Sequence, residues 1–325
     1  MQRRAFITLL GSAAAWPLAA RGQQSEKIAR IGFLGATTPS GLERRVERFR
    51  AGLRDLGYIE GQNILIDFRW AEGNYARLAE FAAELVRLKV DLLVTHGTPG
   101  TLAAKQATKN LPIVMLLSGD AVATGIVASL ARPGGNVTGS TFFDPELNAK
   151  LLELLKEAKP SARRVGVLVN PDNAVMALDV RAMEHVAQSL KFELQQFKVR
   201  GSDELQSVIS SVTRTGLDAL AVTADAIFTS NAGTIAQITA NLRLSTIGFI
   251  EFAQAGGMIG YGVNLASLYY RGAYFVDKIL RGAKPADIPV EQPTKFDLVI
   301  NLKTAKTVGL EMPSTLIARA DEVIE

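Results

Sequence analysis

Short apolar runs alternate with amphipathic segments along most of this chain. In the first half, runs rich in Ile, Val, Leu and Phe predict strands at 30–34, 63–68, 91–95, 113–117 and 137–141. Each run is apolar at nearly every position, which is typical of a parallel strand covered on both faces. Between the runs, apolar residues recur every three to four positions and predict helices. The alternation predicts an open α/β sheet with right-handed crossovers.

The first predicted helix carries signals at both ends. Its apolar stripe runs from Leu42 to Leu56, and Ser40 and Glu43 have the spacing of a capping box. Gly57 follows the stripe as a C-terminal stop.

The same pattern starts again after residue 142. It predicts strands at 164–168, 192–199, 218–223, 246–250, 258–263 and 296–301, with helices between most of them. Two series of similar length predict two Rossmann-like lobes with parallel sheets. The prolines at 285, 289 and 293 predict a stiff connector between the lobes. We expect an N-terminal lobe of 27–141 plus 264–285 and a C-terminal lobe of 142–263 plus 286–325.

The first twenty-two residues have the pattern of an export signal. A positive start with Arg3 and Arg4 precedes an apolar run of about 16 residues, which is short for a membrane span of about 20. The Arg pair followed by Ala5-Phe6-Ile7 matches the twin-arginine pattern, although the general secretory route stays open. We expect export to the periplasm.

Composition narrows the function further. The formal net charge of +4 falls to +1 when residues 1–22 are removed, so the charge does not indicate a nucleic-acid surface. The chain has no cysteine, which excludes disulfides, Cys-ligated zinc and a lipid anchor at the cleavage site. With only His96 and His185 available, a His-based metal site or a Ser-His-Asp triad has little material. No cofactor or metal is expected.

Several segments also match a known family. They are 19–24, 68–75, 130–139, 168–171, 255–262, 278–287 and 318–325. Over essentially its whole length, the chain resembles the ABC transporter substrate-binding proteins related to the tryptophan/tyrosine-type binding proteins. The resemblance implies the type I periplasmic-binding fold, with three crossovers between lobes near Thr141, Val263 and Pro285. It also implies membership of an uptake system and a membrane permease as partner, but it leaves the solute open.

Ligands of open parallel sheets bind outside the carboxyl ends of the strands. In the first lobe the residues at those ends are Thr37, Thr38, Gly97, Thr98, Ser118 and Asp120. A helix predicted to start at Thr98-Pro99 would offer free amides to a carboxylate, while capping alone is the alternative for Thr98. Asp120 either meets an ammonium group or caps the next helix.

In the second lobe the corresponding residues are Asn170, Asp225, Glu251 and Tyr261. A buried acid needs a partner, and a ligand amine would be one for Asp225 or Glu251; solvation or pairing with Arg243 is the alternative. Tyr261 would form an aromatic wall, a hinge contact or part of the core. His96 is expected to be a hydrogen-bonded structural residue.

The sequence therefore favours a monomeric, exported solute-binding component that closes two lobes around a small polar or amphiphilic solute, for which an amino acid is a candidate. A binding subunit of a membrane sensor stays an alternative. An exported α/β hydrolase is a weaker one, because no Gly-x-Ser-x-Gly motif is present.

Overall fold

The computed structural model describes residues 28–142, 144–212 and 215–325, apart from the side chains of residues 144 and 145. The expected export signal at 1–22 lies outside the described residues. Among the described residues, no helix is long and apolar enough to cross a membrane.

The first lobe is built on a parallel sheet. Its strands are β1 (Ala29–Gly35), β2 (Ile64–Trp70), β3 (Leu92–Thr95), β4 (Ile113–Met115) and β5 (Val137–Gly139). Within the described chain their order is β2-β1-β3-β4-β5. The helices that connect them are α1 (Pro39–Asp55), α2 (Leu78–Arg87) and α3 (Gly97–Ala107). The five predicted strands are confirmed, with ends shifted by up to two residues.

Helix α1 begins before the predicted capping box. The Oγ1 atom of Thr38 accepts a hydrogen bond from the amide of Gly41 at 3.2 Å, and Pro39 follows as the first helical residue. Proline suits that position because its fixed φ is helical and its missing N–H would be unpaired there. The capping box of Ser40 and Glu43 is therefore wrong, whereas Gly57 follows the helix with φ +88° as predicted.

The second lobe is a larger α/β unit. Its strands are β6 (Arg164–Val169), β7 (Glu193–Lys198), β8 (Ala219–Val222), β9 (Ser245–Gly248), β10 (Ile259–Gly262), β11 (Asp297–Asn301) and β12 (Glu322–Ile324). Over the described ranges their order is β12-β11-β10-β9-β8-β6-β7. The six strands predicted here are confirmed, and β12 was not predicted.

The remaining helices follow in chain order. They are α4 (Asp144–Ala158), α5 (Met176–Leu190), α6 (Leu205–Val212), α7 (Ala226–Ser230), α8 (Ala232–Asn241), α9 (Ile250–Gln254), α10 (Leu265–Leu280), α11 (Leu302–Thr307) and α12 (Ser314–Ile317). All except α10 belong to the second lobe; α10 packs along α1 of the first lobe.

The direction of β11 follows from the path of the chain between the lobes. After β10 the chain leaves for α10 in the first lobe and returns to form β11, which pairs antiparallel with β10. A strand that enters from the first lobe starts at the carboxyl edge of the sheet, so β11 runs opposite to β10, whereas β12 is parallel to β11. The pairing is an exception to the parallel arrangement predicted for this lobe.

In the described residues, the chain passes between the lobes after β5, after β10 and again before β11. The last passage falls later than the prolines suggested. The Oγ1 atom of Thr138 donates to the carbonyl of Ile288 at 2.8 Å, and the amide of Glu291 donates to the carbonyl of Gly139 at 2.9 Å. Residues 286–291 therefore contact β5 of the first lobe, although the predicted boundary had placed them in the second.

Helices α1 and α10 approach each other closely at Gly52. A Cβ atom at this position would lie 2.5 Å from the carbonyl oxygen of Tyr270 and 2.9 Å from Cβ of Ala273. The absence of a side chain therefore sets the distance between the two helices.

Gly52→Ala is expected to lower the free energy of unfolding by about 1 to 3 kcal/mol, because the added methyl group overpacks this contact. Urea denaturation followed by circular dichroism measures the change. The matched control is Gly233→Ala in α8, where an added Cβ meets nothing within 4 Å. This control should be neutral or slightly stabilising; equal effects of the two variants would contradict the packing argument.

Candidate ligand-binding site

A small cavity lies between the two lobes, outside the carboxyl ends of their strands. Its volume of about 20 Å³ is enough for roughly one water molecule. The first lobe and α10 contribute Arg45, Tyr75, His96, Gly97, Thr98, Pro99, Leu117, Gly119, Phe142 and Leu265, and the second lobe contributes Asn173, Ala224, Ala226 and Thr229. The cavity thus lies at the edge where the topology of both sheets predicts a ligand.

The N-terminus of α3 forms one wall of the cavity. Gly97 is the first helical residue with φ +74°, and His96 is the N-cap, so the predicted N-cap Thr98 lies two residues after the observed one. The buried hydroxyl of Thr98 lies 3.2 Å from that of Ser118 and accepts a hydrogen bond from the amide of Gly119. Thr98 and Ser118 therefore join α3 to the loop after β4, and Gly97 and Thr98 face the cavity.

Arg45 reaches the cavity from α1 and contacts the other lobe. Its side chain donates hydrogen bonds to the Oγ1 atom of Thr229 at 3.1 Å and to the carbonyl of Thr229 at 3.4 Å. Arg45 is only 8% exposed, and Thr229 is buried as well. Closure of the lobes thus places a guanidinium group in a site that is largely removed from water.

His96 is held in its neutral form. Its Nε2 atom accepts a hydrogen bond from the amide of Ala36 at 2.9 Å, which matches the expected structural role. Burial, with a smaller effect of the positive charge of Arg45, lowers the pKa of His96 to about 3. His96 therefore adds no charge to the cavity at neutral pH.

A second hydrogen bond between the lobes joins Tyr75 to Asp225. The hydroxyl of Tyr75 lies 3.0 and 3.1 Å from the two carboxylate oxygens of Asp225. Asp225 also accepts hydrogen bonds from the side chains of Asn170 and Asn173 and from the amide of Ile227, and it is the N-cap of α7. Asp225 and Asn170 therefore lie behind the cavity wall that Tyr75 and Asn173 form.

A second buried carboxylate, Asp179 of α5, lies near Asp225. Neither of its oxygens has a hydrogen-bond partner. Burial, reinforced by the negative charge of Asp225, raises the pKa of Asp179 to about 8. Burial also raises the pKa of Asp225, but the donors around Asp225 oppose that shift. Asp225, which is surrounded by donors, is therefore the better placed of the two to carry a negative charge, and Asp179, which has no donor, is the better placed to hold a proton.

Glu251 and Tyr269 form a polar group beside Arg45. One carboxylate oxygen of Glu251 accepts a hydrogen bond from the amide of Leu265 at 3.3 Å, while the other is buried without a partner. Burial raises the pKa of Glu251, and the charge of Arg45 lowers it by less. The hydroxyl of Tyr269 is also buried, and burial raises its pKa.

The other predicted site residues lie at the margin of the cavity or outside it. Thr37 is buried with an unpartnered hydroxyl, and Thr38 is the exposed cap of α1; both border a separate opening between the lobes. Asp120 accepts hydrogen bonds from the amides of Val122 and Ala123, so the capping alternative describes its contacts.

A small apolar cavity adjoins the main one. Both are lined by Phe142, Ala224 and Leu265, and the apolar cavity is also lined by Phe249 and Tyr261. The ring of Tyr261 stacks on Phe296 at a centroid distance of 6.2 Å. Tyr261 therefore lies beside the segment through which the chain enters β11.

Sequence reasoning did not single out Arg45, Tyr75 or Asp179. A signal existed for two of them, because Arg45 lies in the apolar stripe of α1 and Asp179 in that of α5. A charged residue in such a stripe is either paired or functional. Tyr75 lies in a short 3-10 turn, where spacing carries no such signal. Among the described residues, no group of three or more His, Cys, Asp or Glu side chains is arranged to hold a metal ion.

Comparison with known proteins agrees with this geometry. The family model "ABC transporter substrate binding protein" matches residues 33–324. A tyrosine-binding protein of Clostridioides difficile is 29% identical over 288 residues, which cover 88% of this chain and 83% of that protein.

Two solved structures differ in how well they superpose. An ABC domain in complex with L-Trp from Streptococcus pneumoniae has a TM-score of 0.82 at 27% identity, covering 91% of this chain and 99% of that one. A ligand-free, open substrate-binding protein from Clostridium difficile has a TM-score of only 0.61 at 28% identity and the same coverage. Because the identities of 27% and 28% and the coverages are nearly the same, the TM-scores show that this structure superposes better on the L-Trp complex than on the ligand-free, open protein.

The two lobes and the cavity between them define a solute-binding protein of type I periplasmic-binding architecture. This chain belongs to the ABC transporter substrate-binding protein family and is the extracytoplasmic component that binds the transported solute.

Because burial raises the pKa of Asp179, the free energy of unfolding is expected to depend on pH. Between the pKa of an unfolded Asp, near 3.8, and the folded value of about 8, the folded protein binds more protons than the unfolded one. Stability is therefore expected to fall as pH rises through that window. Asp179→Asn should raise the free energy of unfolding at pH 9 by about 1 to 3 kcal/mol and have little effect at pH 4.

Urea denaturation at pH 4, 6.5 and 9 measures the effect of this substitution. The matched control is Glu184→Gln, an exposed acid on the same helix, which should leave the pH profile unchanged. An Asp179→Asn profile parallel to that of the parent protein would show that folding does not shift the pKa of Asp179.

Proposed function

We propose that the solute is an amino acid and that it binds in the cavity between the lobes. The observation that carries this proposal is the lining of the cavity, where polar groups of both lobes meet an apolar wall. Arg45, Thr98 and Asn173 are the polar part, and Phe142 and Leu265 lead into the adjoining apolar cavity. A small molecule with a charged end and an apolar side chain fits that division.

Two similar proteins support the same class of solute. One is a tyrosine-binding protein, and another was solved in complex with L-Trp. Identities of 29% and 27% leave the side chain of the amino acid open for this protein. The aromatic lining of the smaller cavity, with Phe249 and Tyr261, favours an apolar or aromatic one.

Entry of an amino acid requires the lobes to separate. The present cavity of about 20 Å³ is far smaller than an amino acid. The segments between the lobes allow hinge opening, and the solute then stabilises a closed form by contacting both lobes. The extent of closure is limited by how much better the solute binds the closed form than the open one.

The chemistry of the cavity favours binding over turnover. Nε2 of His96 is occupied by the amide of Ala36, and a pKa of about 3 makes His96 a poor base. The hydroxyls of Thr98 and Ser118 are paired with each other. We therefore propose that the protein delivers its solute unchanged to a membrane permease. We also propose that it acts as a monomer in the periplasm.

A binding screen tests the proposed solute class. The purified full chain is expected to gain thermal stability with one or a few L-amino acids, by about 2.7 kcal/mol at a hundredfold excess over Kd. Calorimetry then measures Kd, and chromatography of the recovered solute checks that it is unchanged. Stabilisation by sugars or polyols instead of amino acids would contradict the proposal. Chemical conversion of the solute would instead support the alternative of an exported hydrolase.

Gly41→Ala tests closure separately from solute contacts. Gly41 lies in α1, and a Cβ atom there would come within 2.6 Å of Cβ of Ser230 in the second lobe. The added methyl should obstruct closure and weaken binding of the amino acid found in the screen by about 5- to 150-fold.

Calorimetry and solution X-ray scattering provide the readouts for Gly41→Ala. The Gly41→Ala protein should stay more open at saturating solute. The control is Gly233→Ala in α8, where an added Cβ meets nothing within 4 Å, and it should behave as the parent protein. An unchanged affinity and the same compact scattering profile would refute closure at this contact.

A further inference from the structure

We propose that Arg45 is the receptor for the carboxylate group of the solute, with the N-terminus of α3 as its second half. This inference rests on the proposed function and specifies which end of the solute the protein recognises. The expectation from the sequence had placed the carboxylate on the α3 end alone.

The lining of the cavity carries a positive charge. Among the described residues that line it, Arg45 alone carries a formal charge at neutral pH, because His96 is held neutral. Within the described parts of the chain, no carboxylate forms an ion pair with Arg45, and its hydrogen bonds go to two neutral oxygens of Thr229. A buried cation without a paired anion is costly, so a solute carboxylate would relieve that cost.

The nearest counter-charge does not replace such a partner. Glu251 is close enough for the charge of Arg45 to lower its pKa, yet burial has the larger effect and raises the pKa overall. One of its oxygens is already bonded to the amide of Leu265. Glu251 therefore gives Arg45 only partial compensation.

Arg45 and the first turn of α3 supply hydrogen-bond donors to the cavity. A guanidinium group has five N–H donors in a planar fork, and the two bonds to Thr229 leave others for a carboxylate. Gly97 and Thr98 present the first turn of α3 to the same cavity. The amide of Gly97 donates to the carbonyl of Leu117 and Pro99 has no N–H, so the amide of Thr98 is the first-turn donor that has no partner within the helix. The positive end of the helix adds to the preference for an anion.

Arg45 lies where the two lobes meet. Arg45 extends from the first lobe and is held by Thr229 of the second, so a carboxylate on Arg45 would touch the contact that the lobes make on closing. The apolar lining at Phe142 and Leu265 then accepts the remainder of the solute. Recognition of the carboxylate and closure of the lobes thus depend on the same side chain.

The test pairs an analogue of the solute with a substitution. Calorimetry measures binding of the L-amino acids and their α-carboxamides, which lack the negative charge, to the full chain and to Arg45→Met. In the parent protein, the amide of each binding amino acid is expected to bind about 10- to 150-fold more weakly than the acid. In Arg45→Met the acid and the amide should bind with similar, weak affinity.

This design separates carboxylate recognition from a purely structural role. If Arg45 serves only to hold Thr229, Arg45→Met will weaken acid and amide by the same factor, and the proposal is overturned. The parent protein alone also decides the matter, since equal affinity for acid and amide overturns the proposal even if the variant fails to fold. Arg44→Met, an exposed neighbour on α1, is the matched control and should preserve the preference for the acid.

The outcomes also distinguish this inference from the proposed function. Binding of amino acids and their amides with equal affinity would leave the proposed function standing and remove the role of Arg45. Binding of no amino acid at all would remove both.

Discussion

The closed arrangement depends on buried polar groups whose partners come from the opposite lobe. Arg45 is bonded to Thr229 and Tyr75 to Asp225, and each pair joins a first-lobe side chain to the second lobe. Such groups have water as their partner when the lobes are apart and protein when the lobes are together. Because a buried polar group without a partner costs about 1 to 3 kcal/mol, the geometry of closure is specified as well as stabilised by these contacts.

The same desolvation fixes the charges around the cavity. Burial favours the neutral form of an ionisable group, and it acts in opposite directions on a base and on an acid. It keeps His96 unprotonated and Asp179 protonated at neutral pH, while the donors around Asp225 oppose the same effect there. Arg45 is therefore the one formally charged side chain among the described residues that line the cavity. Arg45 gives the cavity a positive charge, which favours a negatively charged group on the solute.

Topology brings these residues together from distant parts of the chain. Parallel strands put all their carboxyl ends on one edge, and two such edges face each other across the cavity. The three passages of the described chain between the lobes keep the two edges opposed. The antiparallel pairing of β10 with β11 is the direct mark of the last passage, since that strand begins at the cavity side.

Apolar periodicity in the sequence by itself determined the α/β class, the two lobes and nearly every strand, because strands buried on both faces need continuous apolar runs whatever their neighbours are. It also predicted that polar residues follow the strand ends at the edge where the cavity lies, and Thr98 lines that cavity. Only the tertiary structure decided which side chains form the cavity. Arg45 and Tyr75 owe their burial to residues 184 and 150 positions away in the chain, and no local pattern encodes a partner at that distance. The position of Asp225 at a strand end likewise does not reveal that it accepts hydrogen bonds both from Tyr75 of the first lobe and from its own lobe.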